Sequence, residues 1–143
     1  MHLTFSVVCD AATERPDGRL DIAGIFDRLS APGFPAMQEQ MTAVFVIEWQ
    51  PDETGRQPLR ADLVDEDGRK VLTIEGHTDV VAPAPGGSRA RTRLIMPLER
   101  VVFPQAGRYH FVLVAGSDAH AAAAIHVMHH PDADGDPPPA ARV

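Results

Sequence analysis

One cysteine, Cys9, is all the sequence holds, so no internal disulfide can form, and a reducing compartment fits better than a secreted one. Positive charge is scarce as well. Lys70 is the one lysine, and 13 basic residues stand against 20 acidic ones for a formal net charge of -7. A sequence-independent grip on phosphate backbones needs a positive field, so nucleic acid is not an expected partner. No apolar run approaches the length of a membrane span, and no membrane partner is expected. The opening Met1-His2-Leu3-Thr4-Phe5 lacks a basic stretch and alternates apolar with polar, the pattern of a strand rather than of a signal peptide. The expected location is cytoplasmic. A phosphate loop, a dinucleotide fingerprint and a Gly-x-Ser-x-Gly elbow are all missing, and no cofactor is expected.

What is present is an ordinary globular composition, 44% hydrophobic and 23% charged, punctuated by 13 prolines and 11 glycines. At 143 residues this suits one turn-rich domain with a tail. Leu3, Phe5, Val7 and Cys9 alternate with polar neighbours and predict a first strand burying one face. Arg15-Pro16-Asp17-Gly18 supplies turn chemistry before a second strand from Leu20 to Phe26, in which Gly24 marks a bulge or a close backbone approach. Ser30 to Gln40 reads as a long connection, and its Phe34-Pro35 bond is open to either isomer.

Thr42 to Trp49 is apolar on both faces, as in a central strand or one whose outer face is covered. Leu59 to Val64 and Lys70 to Thr78 flank Asp65-Glu66-Asp67-Gly68, a strong hairpin signal. After a crossing from Asp79 to Ala90, a sixth strand turns Thr92, Leu94, Met96 and Leu98 inward and Arg89, Arg91 and Arg93 outward. Arg108 to Ala115 forms a seventh strand. The eighth ends near Met128, with Ile125 and Val127 inward; the alanines from 119 to 124 also permit a short helix, but the turn at Gly116-Ser117-Asp118 and the need to pair the seventh strand favour a strand. The expected domain is 1-128, followed by a disordered Pro/Asp-rich tail, 129-143.

About eight strands and no long helix predict an all-β fold, an antiparallel β-sandwich. Gln105-Ala106-Gly107-Arg108-Tyr109 resembles the tyrosine corner of immunoglobulin-like folds, where a tyrosine hydroxyl ties the backbone of a crossing loop. Gly24-Ile25-Phe26-Asp27, Phe34-Pro35, Asp65-Glu66-Asp67-Gly68, and Phe103-Pro104 with Gly107 and Tyr109, taken in that order, resemble an uncharacterised bacterial family of small proteins of unknown function. The resemblance implies a single bacterial cytoplasmic domain and no activity or catalytic residue.

Histidines are the most provocative side chains. If Phe111 faces Ile125 and Tyr109 faces Val127, His110 falls opposite His126, and two cross-strand imidazoles come within reach of one metal ion. No cysteine or carboxylate completes a ligand set, so surface imidazoles are the plainer reading. Asp65, Glu66 and Asp67 read as a hairpin turn rather than a calcium loop. Cys9 is expected in the core rather than as a nucleophile.

Arg89, Arg91 and Arg93 form a stripe able to dock an anionic partner. The third, sixth and seventh strands are expected to share a sheet, so Val44, Val46, Val112 and Val114 would flank the stripe in one apolar and arginine-bearing patch, the composition of a protein-binding surface. The leading expectation is a non-enzymatic protein-binding or scaffold module, with a homodimer as the cheapest form. The alternatives are a small-ligand or metal-binding protein using the C-terminal histidines, and an enzyme with its active residues on the loops from Ser30 to Gln40 and Asp79 to Ala90.

Overall fold

The computed structural model describes residues 1–131; the expected disordered tail falls, from residue 132 onward, outside the described residues. These residues form nine strands and no helix: β1 (His2–Glu14), β2 (Leu20–Ile25), β3 (Arg28–Ala31), β4 (Ala36–Glu48), β5 (Gly55–Val64), β6 (Lys70–Val80), β7 (Arg91–Phe103), β8 (Gly107–Ala115) and β9 (Asp118–His129). They build a four-stranded sheet in the order β2-β1-β4-β7 and a five-stranded sheet in the order β3-β9-β8-β5-β6. The ninth strand is β3. Around Phe26 and Asp27 the chain passes from one sheet to the other, Phe26 N–H donating to the Val8 carbonyl and Asp27 C=O accepting from His126 N–H. β3 then runs parallel to β9, so the expectation of a wholly antiparallel sandwich is corrected to a mixed one.

One further correction concerns where β4 begins, while the preference for a strand after the Gly116-Ser117-Asp118 turn holds. β4 reaches back to Ala36, so only residues 32–35 of the expected long connection remain a loop, closed by a cis Phe34-Pro35 bond. The alanine-rich segment is strand throughout, and β9 runs on to His129.

The core lies between the sheets around Trp49, Phe26, Phe45, Phe103, Tyr109 and Phe111. Phe45 meets Phe111 edge-on at 5.7 Å between ring centroids, and Phe103 meets Tyr109 at 4.9 Å, the separation and tilt that aromatic quadrupoles favour. Trp49 buries its ring and donates its indole N–H to Thr92 Oγ1 at 2.7 Å. The tyrosine corner is present: Tyr109 donates its hydroxyl to the Gln105 carbonyl at 2.6 Å and accepts the Gln105 N–H at 3.3 Å, as the chain crosses from β7 to β8.

Bulges decide which side chains reach that core. Leu3 pairs with Ile47 but Phe5 pairs with Val46, so Thr4 is an extra residue in β1. The bulge reverses the expected phase. Ser6 and Val8 turn inward, while Phe5, Val7 and Cys9 turn to the outer face, where Phe5 is 41% exposed. Cys9 is therefore buried, but not on the inner face where alternation placed it. A second bulge adds a residue to β9 opposite Phe111, and its amide, Ala123 N–H, donates to Ser6 Oγ of the facing sheet at 3.1 Å. This bond stitches the two sheets together along one side.

β1 leaves β4 after the Cys9/Thr42 pair and continues with β2 alone as a hairpin arm, Asp10–Ile25. Gly24, at φ 69°, packs so closely on the Asp10 carboxylate that any side chain there would collide with it. Gly18 at the tip stands over the Arg93 guanidinium, with 3.8 Å between that group and the position of a β-carbon. Arg93 pairs with Val46 on the outer face of the sheet, so the arm folds back across that face. Ala12, Leu20 and Ile22 are half-buried along the arm, and Val44 beneath it is 0% exposed although it points away from the core.

Candidate functional site

Two arginines of the stripe lie on β7, and two of the three share one carboxylate. Arg91 and Arg93 project from the outer face of β7, and Arg89 lies in the connection before it. Glu48 is opposite Arg91 and takes both neighbours, Arg91 Nη2 at 3.2 Å and Arg89 Nη1 at 3.6 Å. Arg93 lies under the arm. Val44 and Val46, on the outer face that Gly18 of the arm reaches at Arg93, are buried, which accords with a strand that is apolar on both faces.

Val112 and Val114 are elsewhere. The tyrosine corner carries the chain across the core between β7 and β8, so β8 belongs to the five-stranded sheet while β4 and β7 share the four-stranded one. The expected single patch is corrected to two surfaces on opposite sides of the sandwich. On the outer face of the five-stranded sheet, cross-strand rows can be read directly. Glu75, Arg60, Val114 and Ala119 form one row, Thr73, Asp62, Val112 and Ala121 the next, and Val64, His110 and Ala124 a third. Small apolar side chains thus occupy the β8–β9 part of the first two rows, His110 the middle of the third, and charged side chains the β5–β6 border.

Asp62 is the residue that sequence reasoning passed over. Alternation places it outward on β5, yet only 3% of it is exposed. Thr73 Oγ1 donates to it at 2.8 Å, Arg60 Nε at 3.0 Å, and Lys70 Nζ stands at 3.6 Å. Burial pushes the Asp62 carboxyl up, but the Thr73 hydrogen bond and the two cations outweigh it and hold the group below the usual carboxylate range. The signal available in the sequence was an aspartate two residues from an arginine on a strand with apolar inward neighbours.

The histidine pair does not form. Tyr109 faces Ile125, which sets His110 against Ala124 and His126 against Arg108. The tight turn that pairs Ala115 with Asp118 sets this register two residues away from the expected one, and the extra residue in β9 makes up only part of the offset. His126 also pairs with Arg28 of β3, so its strand neighbours on both sides are cations, a poor setting for a metal ion. Among the described residues no group of three or more His, Cys, Asp or Glu is placed to hold a metal. His129 instead reaches the Pro32 carbonyl through Nε2 at 3.1 Å and tilts against Phe34.

The remaining reactive groups are structural. Burial raises the Cys9 thiol, with Asp10 adding to the effect, and its Sγ lies 3.6 Å from the Thr42 carbonyl. The Met1 side chain is buried, and its ammonium is ion-paired with Glu53 at 2.6 Å and Asp118 at 3.2 Å. In the hairpin turn, Asp65 Oδ1 accepts the Asp67 and Arg69 N–H groups, and Glu66 Oε1 accepts the Arg108 N–H at 2.8 Å, tying the β5–β6 turn to the start of β8. An open cleft of about 840 Å³ lies where β1 departs from β4, lined by Asp10, Met37 to Gln40, Glu99 and Arg100.

Residues 4–128 match the model of a family of unknown function, DUF6941. No curated protein and no solved structure shows a significant match. With the match running from β1 almost to the end of β9, the chain belongs to DUF6941, a family for which no function is established.

Proposed function

We propose that the domain is a non-enzymatic protein-binding module whose contact surface is the outer face of the five-stranded sheet, and that a second copy of the chain is its simplest occupant. The observation that carries this reading is the arrangement of that face. Val112, Val114, Ala119, Ala121 and Ala124 form an apolar centre broken by His110, bordered on one side by Arg60, Asp62 and Lys70 and on the other by Arg108, His126 and Arg28. An apolar centre within a polar rim is the anatomy of a protein interface, and small side chains let two sheets approach closely. Closed two-fold pairs are the commonest oligomers.

The strand order supports an immunoglobulin-like reading of the same face. β9-β8-β5-β6 corresponds to the G-F-C sheet with its C′ addition, β4 and β7 to strands B and E, and Tyr109 to the corner at the start of F. Light scattering at high micromolar concentration is expected to give twice the chain mass, and Val112→Asp to return it to a monomer. A monomer at that concentration, or a dimer indifferent to Val112→Asp, overturns the self-association reading.

A further inference from the structure

The departure of β1 from β4 leaves an edge inside the four-stranded sheet. β4 pairs with β7 along its whole length, from Ala36/Phe103 to Glu48/Arg91, but with β1 only from Thr42 onward. From Ala36 to Met41 it has no strand on that side among the described residues. Alternate residues of this stretch direct their N–H and C=O groups away from β7, which makes it a template for a further strand. The devices that ordinarily blunt such an edge are sparse here. No proline or lysine lies between Ala36 and Met41, and the side-chain hydrogen bond along it runs from Gln38 Nε2 to the Gln40 carbonyl at 3.0 Å.

This edge forms part of the 840 Å³ cleft, whose walls carry Asp10, Glu39 and Glu99 against one cation, Arg100. Glu39 and Glu99 are exposed and make no ion pair or hydrogen bond among the described residues. Glu48 and Asp62, by contrast, are each held by two cations.

We infer that the cleft receives an extended peptide segment with basic side chains, which adds as a strand to the Ala36–Met41 edge of β4. Backbone pairing supplies the grip, and alternate lysine or arginine side chains meet the acidic wall. A second copy of this chain is the wrong occupant. Antiparallel pairing of two such edges sets Glu39 of one copy near Glu39 of the other, in a molecule already carrying a net charge of -7. The inference is independent of the five-stranded face, which lies on the other side of the sandwich.

The probe is a capped, fluorescently labelled six-residue peptide alternating lysine and valine, compared by anisotropy at low salt with its glutamate and valine counterpart. The lysine peptide is expected to bind at least about tenfold more tightly, and Glu39→Lys with Glu99→Lys to remove about the same factor. Both positions are exposed, and circular dichroism establishes that the variant is folded. Bound peptide is further expected to slow amide exchange between residues 36 and 41 of the unmodified protein, and Val112→Asp to leave binding unchanged. Equal binding of the two peptides, unaltered exchange on β4, loss of binding in Val112→Asp, or self-association that protects the same β4 amides overturns the inference.

Discussion

At the scale of single residues, Asp62 shows how an outward position becomes a buried one. Thr73, Arg60 and Lys70 close over its carboxylate, so removing it leaves donors without an acceptor. Asp62→Ala is expected to cost about 1–3 kcal/mol at neutral pH in urea unfolding. The pH dependence follows from its depressed ionisation. The folded group titrates below its ordinary value of 3.8, so between the two values the unfolded chain binds the extra proton. The stabilisation is fully present above that ordinary value and is lost as pH falls through the folded one. Unfolding curves from pH 6 down to pH 2 should therefore steepen for the native protein and flatten for Asp62→Asn; equal slopes would remove Asp62 from the account. Several single-residue features were legible in the sequence because they depend on local chemistry. Gly24 marks a close backbone approach, Gly68 closes the hairpin turn at φ 81°, and Tyr109 ties its corner. Asp62 was not, because two of the three side chains that close over it, Lys70 and Thr73, come from the neighbouring strand β6.

At the scale of elements, the alternation of apolar residues located nearly every strand, and bulges account for where it misassigned faces. Nothing in Leu3-Thr4-Phe5 distinguishes Thr4 as the extra residue, yet its presence exchanges the faces of everything between Phe5 and Cys9. The register of β9 was equally hidden. Ala121 to Ala124 are identical side chains, so a slip along them changes no hydrophobic pattern and gives no sign of where the added residue sits. The expected His110/His126 pair failed on that ambiguity. The arm was invisible for another reason: a hairpin that folds back over a sheet has the same local sequence as one that continues it. Its dependence on Gly24 can be tested. Gly24→Ala places a β-carbon against Asp10 on a backbone at φ 69°, and is expected to cost about 1–2 kcal/mol. Amide exchange should quicken across residues 10–25 while the β4–β7 ladder remains protected. Uniform exchange throughout the domain would show that the arm is not a separate unit.

At the scale of the whole molecule, the two sheets are joined by more than apolar contact. Ser6 of β1 holds the Ala123 amide of β9, and the segment that passes between the sheets is bound to both, Phe26 to the Val8 carbonyl and Asp27 to the His126 amide. With one core between them, the sheets are expected to unfold together. Urea transitions followed by Trp49 fluorescence and by far-ultraviolet circular dichroism should coincide, as for other single domains of this size; separated midpoints would mean that one sheet outlasts the other. The same bonds fix the two proposed surfaces on opposite sides of a rigid body, so that an occupant of the five-stranded face and a strand on β4 do not compete.

The parallel pairing of β3 with β9 also has a mechanical meaning. Tension between a residue ahead of β3 and one beyond β9 pulls the two strands lengthwise past each other, loading the bonds from His126 N–H to Asp27 and from His130 N–H to Ala31 at the same time. The β8–β9 hairpin, pulled from its open end, gives way one rung after another. A ladder of four residue pairs, the shortest in its sheet and one that the sequence did not reveal, is thus placed where the domain would resist extension.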